Sequence, residues 1–85
     1  MRKIRVLLVE DSVTVRRRLG EVLRADPELE VVGEARDGAQ GLELTKRLRP
    51  DLVLMDFQMP HVDGFEATRQ IMSEAPTPIV VMSGT

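Results

Sequence analysis

Three short runs of branched aliphatic residues most constrain how this 85-residue chain can fold. They are Ile4–Val9, residues 52–55 and Ile79–Met82, and each is followed by a polar or small residue. Hydrophobic runs without alternation are typical of strands that are buried on both faces of a parallel sheet. A weaker run at 31–35 is interrupted by a glycine and a glutamate and fits a strand nearer an edge. The sequence therefore predicts four strands.

A helix is predicted between the first two strands. Apolar residues recur there at i, i+4, i+7 and i+8, which places them on one face of a helix. Ser12 precedes this pattern, and Pro27 marks a stop beyond it. We interpret the three arginines at 16–18 as a solvent-exposed helix face rather than a binding patch. The predicted buried face comprises Val15, Leu19, Val22 and Leu23.

Two more helices are predicted from capping signals. Asp37 with Gln40, and Asp63 with Glu66, each match a short acceptor followed three residues later by Glu or Gln. The resulting alternation of strands and helices predicts right-handed crossovers and one α/β domain, an open parallel sheet with helices on both faces. The third helix is predicted to bury Phe65 or Thr68 with Ile71, Met72 and Ala75.

Three carboxylates are predicted to meet at one edge of this sheet. Glu10 and Asp11 directly follow the first strand, Asp56 closes the third, and these two strands are expected to be neighbours. Ligands of open parallel sheets bind beyond the carboxyl ends of the strands. Clustered carboxylates repel one another unless a cation or a proton offsets the charge, and Mg²⁺ prefers such oxygen ligands. One of the three could also be a nucleophile that forms an aspartyl phosphate.

Each of these residues also has a purely structural interpretation. Asp11 or Ser12 could simply cap the following helix, and the pair of Glu10 and Asp11, taken alone, could equally serve in capping or in binding, since acidic groups stabilise helix N-termini. Asp56 follows four apolar residues, where burial would penalise an idle carboxylate. Ser83 could donate a hydrogen bond to a phosphoryl oxygen or simply end the fourth strand. His61 is interpreted as a solvated loop residue, because the chain has no cysteine and no second histidine to complete a transition-metal site.

The composition excludes several classes of function. The formal net charge is −2, and no Lys/Arg block is long enough for direct nucleic-acid binding. The apolar run near the N-terminus is too short for a signal peptide or a membrane span. We therefore expect no membrane contact and a cytoplasmic location, which the lack of cysteine permits.

The ordered set of motifs closely resembles the receiver domains of bacterial response regulators. The motifs are Val-Glu-Asp-Ser after the first strand, Asp-Gly after the second, Arg-Pro-Asp-Leu-Val-Leu-Met-Asp through the third, Met-Pro-His-Val-Asp-Gly, and Pro-Ile-Val-Val-Met-Ser. The resemblance implies a flavodoxin-like sheet with strand order 2-1-3-4. Receivers usually continue through a fourth helix, a fifth strand carrying a lysine, and a fifth helix. Residues 1–85 are therefore expected to be the N-terminal portion of a receiver domain, with these elements absent.

The resemblance also implies a role for each residue of the site. Asp56 would be the phosphoacceptor, and Glu10 and Asp11 would hold Mg²⁺ beside it. The backbone carbonyl of Gln58 would supply another ligand, and Ser83 would be the switch hydroxyl that bonds the phosphoryl group. A histidine kinase would be the phosphodonor, and a downstream effector domain or protein would receive the signal.

Two segments suggest a closer likeness to the receiver of the chemotaxis protein-glutamate methylesterase. They are Ser-Glu-Ala-Pro-Thr-Pro-Ile-Val-Val-Met-Ser and Glu-Val-Val-Gly-Glu-Ala. Gln58 departs from that subfamily, which usually has an acid there. A full-length parent could be such a methylesterase, whereas no separate enzyme activity is expected within 85 residues. Since strand four would be an uncovered edge, a homo-oligomer that forms through it is also expected.

Three other functions compete with this one. An Asp-nucleophile phosphohydrolase needs an acid two residues after the nucleophile, where Gln58 stands. A dinucleotide-binding unit needs Gly-x-Gly-x-x-Gly after the first strand, where the acids stand. An interaction-only module on the truncated fold remains the principal alternative, because the usual lysine is absent from these residues.

Overall fold

Strands and helices alternate along the computed structural model, which describes residues 2–56 and 64–82. The four predicted strands and three predicted helices are confirmed. The second strand begins at Leu29 rather than at residue 31, because Leu29 and the residue after it pair with the start of the first strand. The elements are β1 (Ile4–Val9), α1 (Val13–Arg24), β2 (Leu29–Ala35), α2 (Gly38–Leu48), β3 (Leu52–Asp56), α3 (Gly64–Glu74) and β4 (Ile79–Met82).

The strands form a parallel sheet in the order β2-β1-β3-β4, as predicted. Val9 at the end of β1 lies opposite Met55 of β3, so the residues that follow these two positions meet at the same edge. Val53 lies opposite Ile79, which places β4 beside β3. The flavodoxin-like α/β fold with helices on both faces is therefore confirmed.

A bulge in β2 shifts its register against β1. Val6 pairs with Val31, whereas the next residue, Leu7, pairs with Gly33, so one residue of β2 is left over. Because side chains alternate between the faces of a sheet, the extra residue reverses which side chains of β2 face each layer of helices. Glu34 consequently lies opposite Leu8, on the face that α1 covers.

The main hydrophobic core lies between the sheet and the layer formed by α2 and α3. Leu42, Leu48 and Ile79 pack against it while remaining partly exposed. The apolar strand residues that alternate with those of this core face the opposite layer, where α1 packs on β2 and β1. The core comprises Leu7, Val9, Ala35, Leu44, Val53, Met55, Ala67 and Ile71.

Helix α2 packs closely against β1. A Cβ atom at Gly41 would lie 3.0 Å from Cγ2 of the fully buried Val9, so glycine permits this approach. Asp37 caps the helix by accepting from the Gln40 N–H at 2.8 Å, as predicted. The buried hydroxyl of Thr45 donates to the Gly41 carbonyl at 2.7 Å.

The predicted apolar face of α1 is only partly buried. Leu19 and Leu23 are half-buried, but Val15 and Val22 are exposed, so the prediction is wrong for those two residues. Periodicity finds the face of a helix, whereas burial also depends on how far neighbouring elements extend over it. Ser12 caps the helix by accepting from the Val15 N–H at 3.2 Å.

Helix α3 contributes small and aliphatic side chains to the core. Ala67 and Ile71 are fully buried, which confirms Ile71. Of the two alternatives, Thr68 is half-buried and Phe65 is 73% exposed. Ala75 is half-buried, whereas Met72 is exposed, contrary to prediction. The buried stripe of the helix therefore runs through Ala67, which has little hydrophobic surface to mark it in the sequence. The predicted cap Asp63 lies outside the described residues. Among the residues described, the helices are too short or too polar to cross a membrane.

Candidate functional site

The carboxyl ends of β1 and β3 bring three acidic side chains together. The cluster contains one carboxylate oxygen from each of Glu10, Asp11 and Asp56, and these three oxygens lie within 4.8 Å of one another. Asp56 is the last residue of β3, and Glu10 and Asp11 directly follow β1. The parallel pairing of the two strands produces this meeting. The convergence predicted from strand ends is therefore present.

Glu10 is the most constrained of the three. It is only 3% exposed, and its N–H donates to the Ala35 carbonyl at the end of β2 at 2.9 Å. Its carboxylate accepts a hydrogen bond from the Ser12 N–H at 3.0 Å. The first contact fixes the Glu10 backbone to β2, and the second fixes its carboxylate against the start of the segment that leads into α1.

Burial raises the pKa of the Glu10 carboxyl from 4.5 to about 7. The hydrogen bond from Ser12 opposes this rise, whereas the neighbouring carboxyls of Asp56 and Asp11 add to it. Charged carboxylates in one pocket repel one another, and desolvation penalises the ionised form further. Without a cation, the cluster therefore retains a proton on Glu10 at pH values where an exposed glutamate has lost it.

The other two carboxylates have different environments. Asp56 is buried, 9% exposed, whereas Asp11 is half-buried at the rim. Since the Ser12 side chain caps α1, a capping role is not required of Asp11. The cluster therefore combines two buried carboxylates, those of Glu10 and Asp56, with the half-buried carboxylate of Asp11.

The donor set fits Mg²⁺. Oxygen ligands of Mg²⁺ lie at ~2.1 Å in an octahedron, so two ligand oxygens are separated by about 3 to 4.2 Å. The three carboxylate oxygens lie within 4.8 Å of one another, a distance slightly longer than the separation of two Mg²⁺ ligands, and small side-chain rotations would bring them to that separation. Binding would also remove the proton from Glu10, because metal ligands are deprotonated. Glu10, Asp11 and Asp56 are thus the described residues suited to hold the ion.

Arg16 also belongs to this site, although the arginine run predicts only an exposed helix face for it. The prediction is wrong for this residue, because its side chain is only 21% exposed. Its Nη1 atom donates to the Glu10 carbonyl at 2.9 Å. Arg17 and Arg18, by contrast, are exposed as predicted. The sequence signal that could have indicated this contact is the spacing: Arg16 lies six residues after Glu10, within the first turn of α1.

Two predicted site residues are not placed. Gln58, whose carbonyl is the predicted fourth ligand, and Ser83, the predicted switch hydroxyl, lie outside the described residues, as does His61. Their roles remain predictions.

A match to a protein-family model shows which family the chain belongs to. The model described as "Response regulator receiver domain" matches residues 6–85. The chain belongs to this family. As a receiver domain, it has the element order and acidic edge described above, and the family prediction from its motifs is confirmed.

Several similar proteins are named as protein-glutamate methylesterases. The receiver is 64% identical over 80 residues to "Protein-glutamate methylesterase/protein-glutamine glutaminase 4" of Myxococcus xanthus, covering 94% of the chain and 23% of that protein. It is 48% identical over 82 residues to the corresponding protein of Pyrococcus abyssi, covering 96% of the chain and 22% of that protein. The chain thus spans less than a quarter of the length of these relatives.

Solved receiver structures have the same fold. The response regulator domain of Thermotoga maritima CheB superposes with a TM-score of 0.92 at 41% identity, covering 96% of this receiver and 61% of that chain. The signal receiver domain of the putative response regulator NarL from Mycobacterium tuberculosis also gives 0.92, at 36% identity and with 100% and 69% coverage. The predicted likeness to the methylesterase receiver is confirmed.

Proposed function

We propose that this receiver accepts a phosphoryl group on Asp56 in a Mg²⁺-dependent reaction with a histidine kinase. The observation that carries the proposal is the burial of Asp56 at a sheet edge, within 4.8 Å of two further carboxylates that fit a divalent cation. Three carboxylates packed together without a cation would destabilise the fold by mutual repulsion and desolvation. A bound metal ion would offset their charge, and the phosphoryl group would be carried by Asp56. Membership of the receiver family supports the same conclusion.

Each residue has a distinct task in this reaction. A carboxylate oxygen of Asp56 forms a bond to phosphorus, and the bond from phosphorus to the imidazole nitrogen of the donor breaks, leaving its electron pair on that nitrogen. Glu10 and Asp11, together with Asp56, would hold Mg²⁺, and the bound ion would supply charge neutralisation at the phosphoryl oxygens. The Gln58 carbonyl is proposed as a further ligand, and the Ser83 hydroxyl as the donor that bonds the phosphoryl group.

We also propose the wider setting of the domain. The names of the relatives support a full-length parent that carries a methylesterase as its effector. Membership of the receiver family and the likeness to the CheB receiver support a chemotaxis-type two-component system, for which a cytoplasmic location is proposed. Residues 1–85 would form the N-terminal portion of the receiver, since they cover 61% of the Thermotoga domain. No separate enzyme activity is proposed for these residues.

Incubation with Mg²⁺ and acetyl phosphate, read by intact mass, tests the proposal. The chain should gain one phosphoryl group that is stable in acid and labile in base, and Asp56→Asn should not gain it. Asp51→Asn is the matched control, because Asp51 precedes the same strand at its opposite end and should leave labelling unchanged. A folded wild-type chain that binds Mg²⁺ and gains no mass would favour the interaction-only module instead.

A homo-oligomer is the second part of the proposal. β4 is the outer strand of the described sheet, and its Val80 and Val81 are exposed. Such an edge presents unpaired backbone donors and acceptors to a second chain. Light scattering of the wild-type chain and of a variant with a charged β4 tests this part.

A further inference from the structure

Polar contacts hold the backbone of the segment that carries Glu10 and Asp11. The Glu10 N–H donates to the Ala35 carbonyl at 2.9 Å, and the Glu10 carboxylate accepts from the Ser12 N–H at 3.0 Å. The Glu10 carbonyl accepts from Nη1 of Arg16 at 2.9 Å. Of these three contacts, only the last is donated by a side chain. A single substitution can therefore remove it while leaving every backbone donor in place.

Arg16 is itself anchored to β2. Its Nε atom lies 3.6 Å from Oε1 of Glu34, and Oε2 of Glu34 accepts from Nη2 of Arg24 at 2.8 Å. Glu34 directly precedes Ala35, which bonds the Glu10 N–H. The end of β2 thus reaches the acidic segment twice, once through its own backbone and once through the pair of Glu34 and Arg16.

Gly20 in the middle of α1 leaves room for this network. A Cβ atom there would lie 2.7 Å from Nη1 of Arg24 and 3.7 Å from Oε2 of Glu34. Glycine is unfavourable inside a helix, so its presence at a buried helical position calls for a packing reason. The side chains of Arg24 and Glu34, which lie against this position, supply that reason.

The guanidinium of Arg16 is directed at a backbone carbonyl and at Glu34, rather than serving as the counterion of the acidic cluster. Its contribution is therefore one of geometry. Mg²⁺ demands near-ideal octahedral ligation, and contacts that orient ligands from outside the metal shell tune metal affinity. We propose that Arg16, held by Glu34, is a positioning residue that fixes the Glu10 backbone and thereby sets the Mg²⁺ affinity of the site. This inference rests on the proposed function.

Calorimetric titration with Mg²⁺ tests the inference, and suits a chain that has no Trp or Tyr to report binding by fluorescence. Arg16→Met should weaken Mg²⁺ binding by about tenfold, at the lower end of what contacts outside the metal shell contribute. Lysine in Arg16→Lys can still reach the Glu10 carbonyl but lacks the forked guanidinium that also contacts Glu34. The Mg²⁺ affinity of this variant should therefore lie between that of wild type and that of Arg16→Met. Glu34→Gln should shift the affinity in the same direction by a smaller factor. Arg17→Met is the matched control and should match wild type, because Arg17 is exposed.

A second readout separates positioning from general damage to the fold. The Mg²⁺ concentration that gives half-maximal labelling by acetyl phosphate should rise in Arg16→Met by the same factor as the dissociation constant. The maximal rate at saturating Mg²⁺ should stay near that of wild type. Circular dichroism establishes which variants are folded. If Arg16→Met is unfolded, the Mg²⁺ affinities of Arg16→Lys and Glu34→Gln test the positioning role instead.

Two results would overturn the inference in distinguishable ways. If wild type binds Mg²⁺ and folded Arg16→Met binds it no more weakly than Arg17→Met, the positioning role is wrong and the proposed function stands. If wild type itself shows no Mg²⁺ binding, the proposed function fails and the inference fails with it.

Discussion

Glu10 determines the electrostatic state of the acidic cluster at the scale of single residues. Its burial, rather than its mere proximity to Asp56, is the largest cause of its raised pKa. The sequence places Glu10, Asp11 and Asp56 together correctly, because strand ends alone decide that. The apolar run before Asp56 also indicates that Asp56 is buried. The sequence does not tell that Glu10 is buried as well, because the backbone of Glu10 is bonded to Ala35, on a strand distant in the sequence.

The raised pKa of Glu10 gives the metal-free protein a pH dependence of stability. Between pH 4.5 and about 7, the folded chain keeps a proton that the unfolded chain releases, so the free energy of unfolding should fall as pH rises through this window. The change of the pKa from 4.5 to about 7 limits this loss to roughly 3 to 4 kcal/mol. Urea unfolding with a chelator at pH 5 and pH 8 measures it.

Two glutamine variants separate this effect from the rest of the titration. Glu10→Gln should flatten the pH dependence, since the amide has no proton to lose. Glu30→Gln is the control, because Glu30 is exposed on β2 and should leave the slope unchanged. An equal slope in wild type and Glu10→Gln would show that another group is responsible.

At the scale of elements, local signals predict where helices begin better than which faces they bury. Ser12 and Asp37 cap α1 and α2 as their side chains require, since a cap is decided within one helical turn. The contact of Arg16 with Glu34 is not predictable in this way. It depends on the bulge in β2, which moves Glu34 to the α1 face, and strict alternation along the strand would have directed that side chain into the core.

The packing of α2 on β1 yields a prediction at this scale. Gly41→Ala should destabilise the fold by about 1 to 2 kcal/mol, because the new methyl group meets the fully buried Val9 and overpacking outweighs the gain in helix propensity. Gly20→Ala is the matched comparison, also within a helix, but its obstruction is the flexible end of Arg24. Its loss should be smaller. Thermal unfolding of both variants checks this, and a Gly41→Ala chain as stable as wild type would contradict it.

The whole molecule buries its two sheet faces unequally. The face toward α2 and α3 holds the fully buried core, whereas on the other face Leu52 and Leu54 of β3 and Met82 of β4 are only half-buried. The hydrophobic runs predict strands buried on both faces, and this holds best for β1, where Val6 to Val9 are all buried. A run of apolar residues shows that a strand needs cover, but the position of the strand in the sheet decides how much it receives.

Self-association is the expected consequence of this unequal cover. Val80 and Val81 are 47% and 43% exposed on β4, which pairs only with β3 in the part of the chain that the structure describes. Covering ~400 Å² of apolar surface at ~25 cal/mol per Å² would stabilise an assembly by about 10 kcal/mol before the entropy of association. We therefore expect the 85-residue chain to form a dimer or a larger oligomer through β4.

Light scattering at micromolar concentration, on a chain of confirmed mass, measures the assembly. Val80→Lys should shift it toward monomer, because a charged side chain on an edge strand opposes pairing with a second strand. Val22→Lys is the control, since Val22 is an exposed valine on α1, away from that edge, and should leave the oligomer intact. A wild-type chain that is folded and strictly monomeric would rule out assembly through β4. An oligomer that survives Val80→Lys but dissociates in Val22→Lys would instead place the interface on α1.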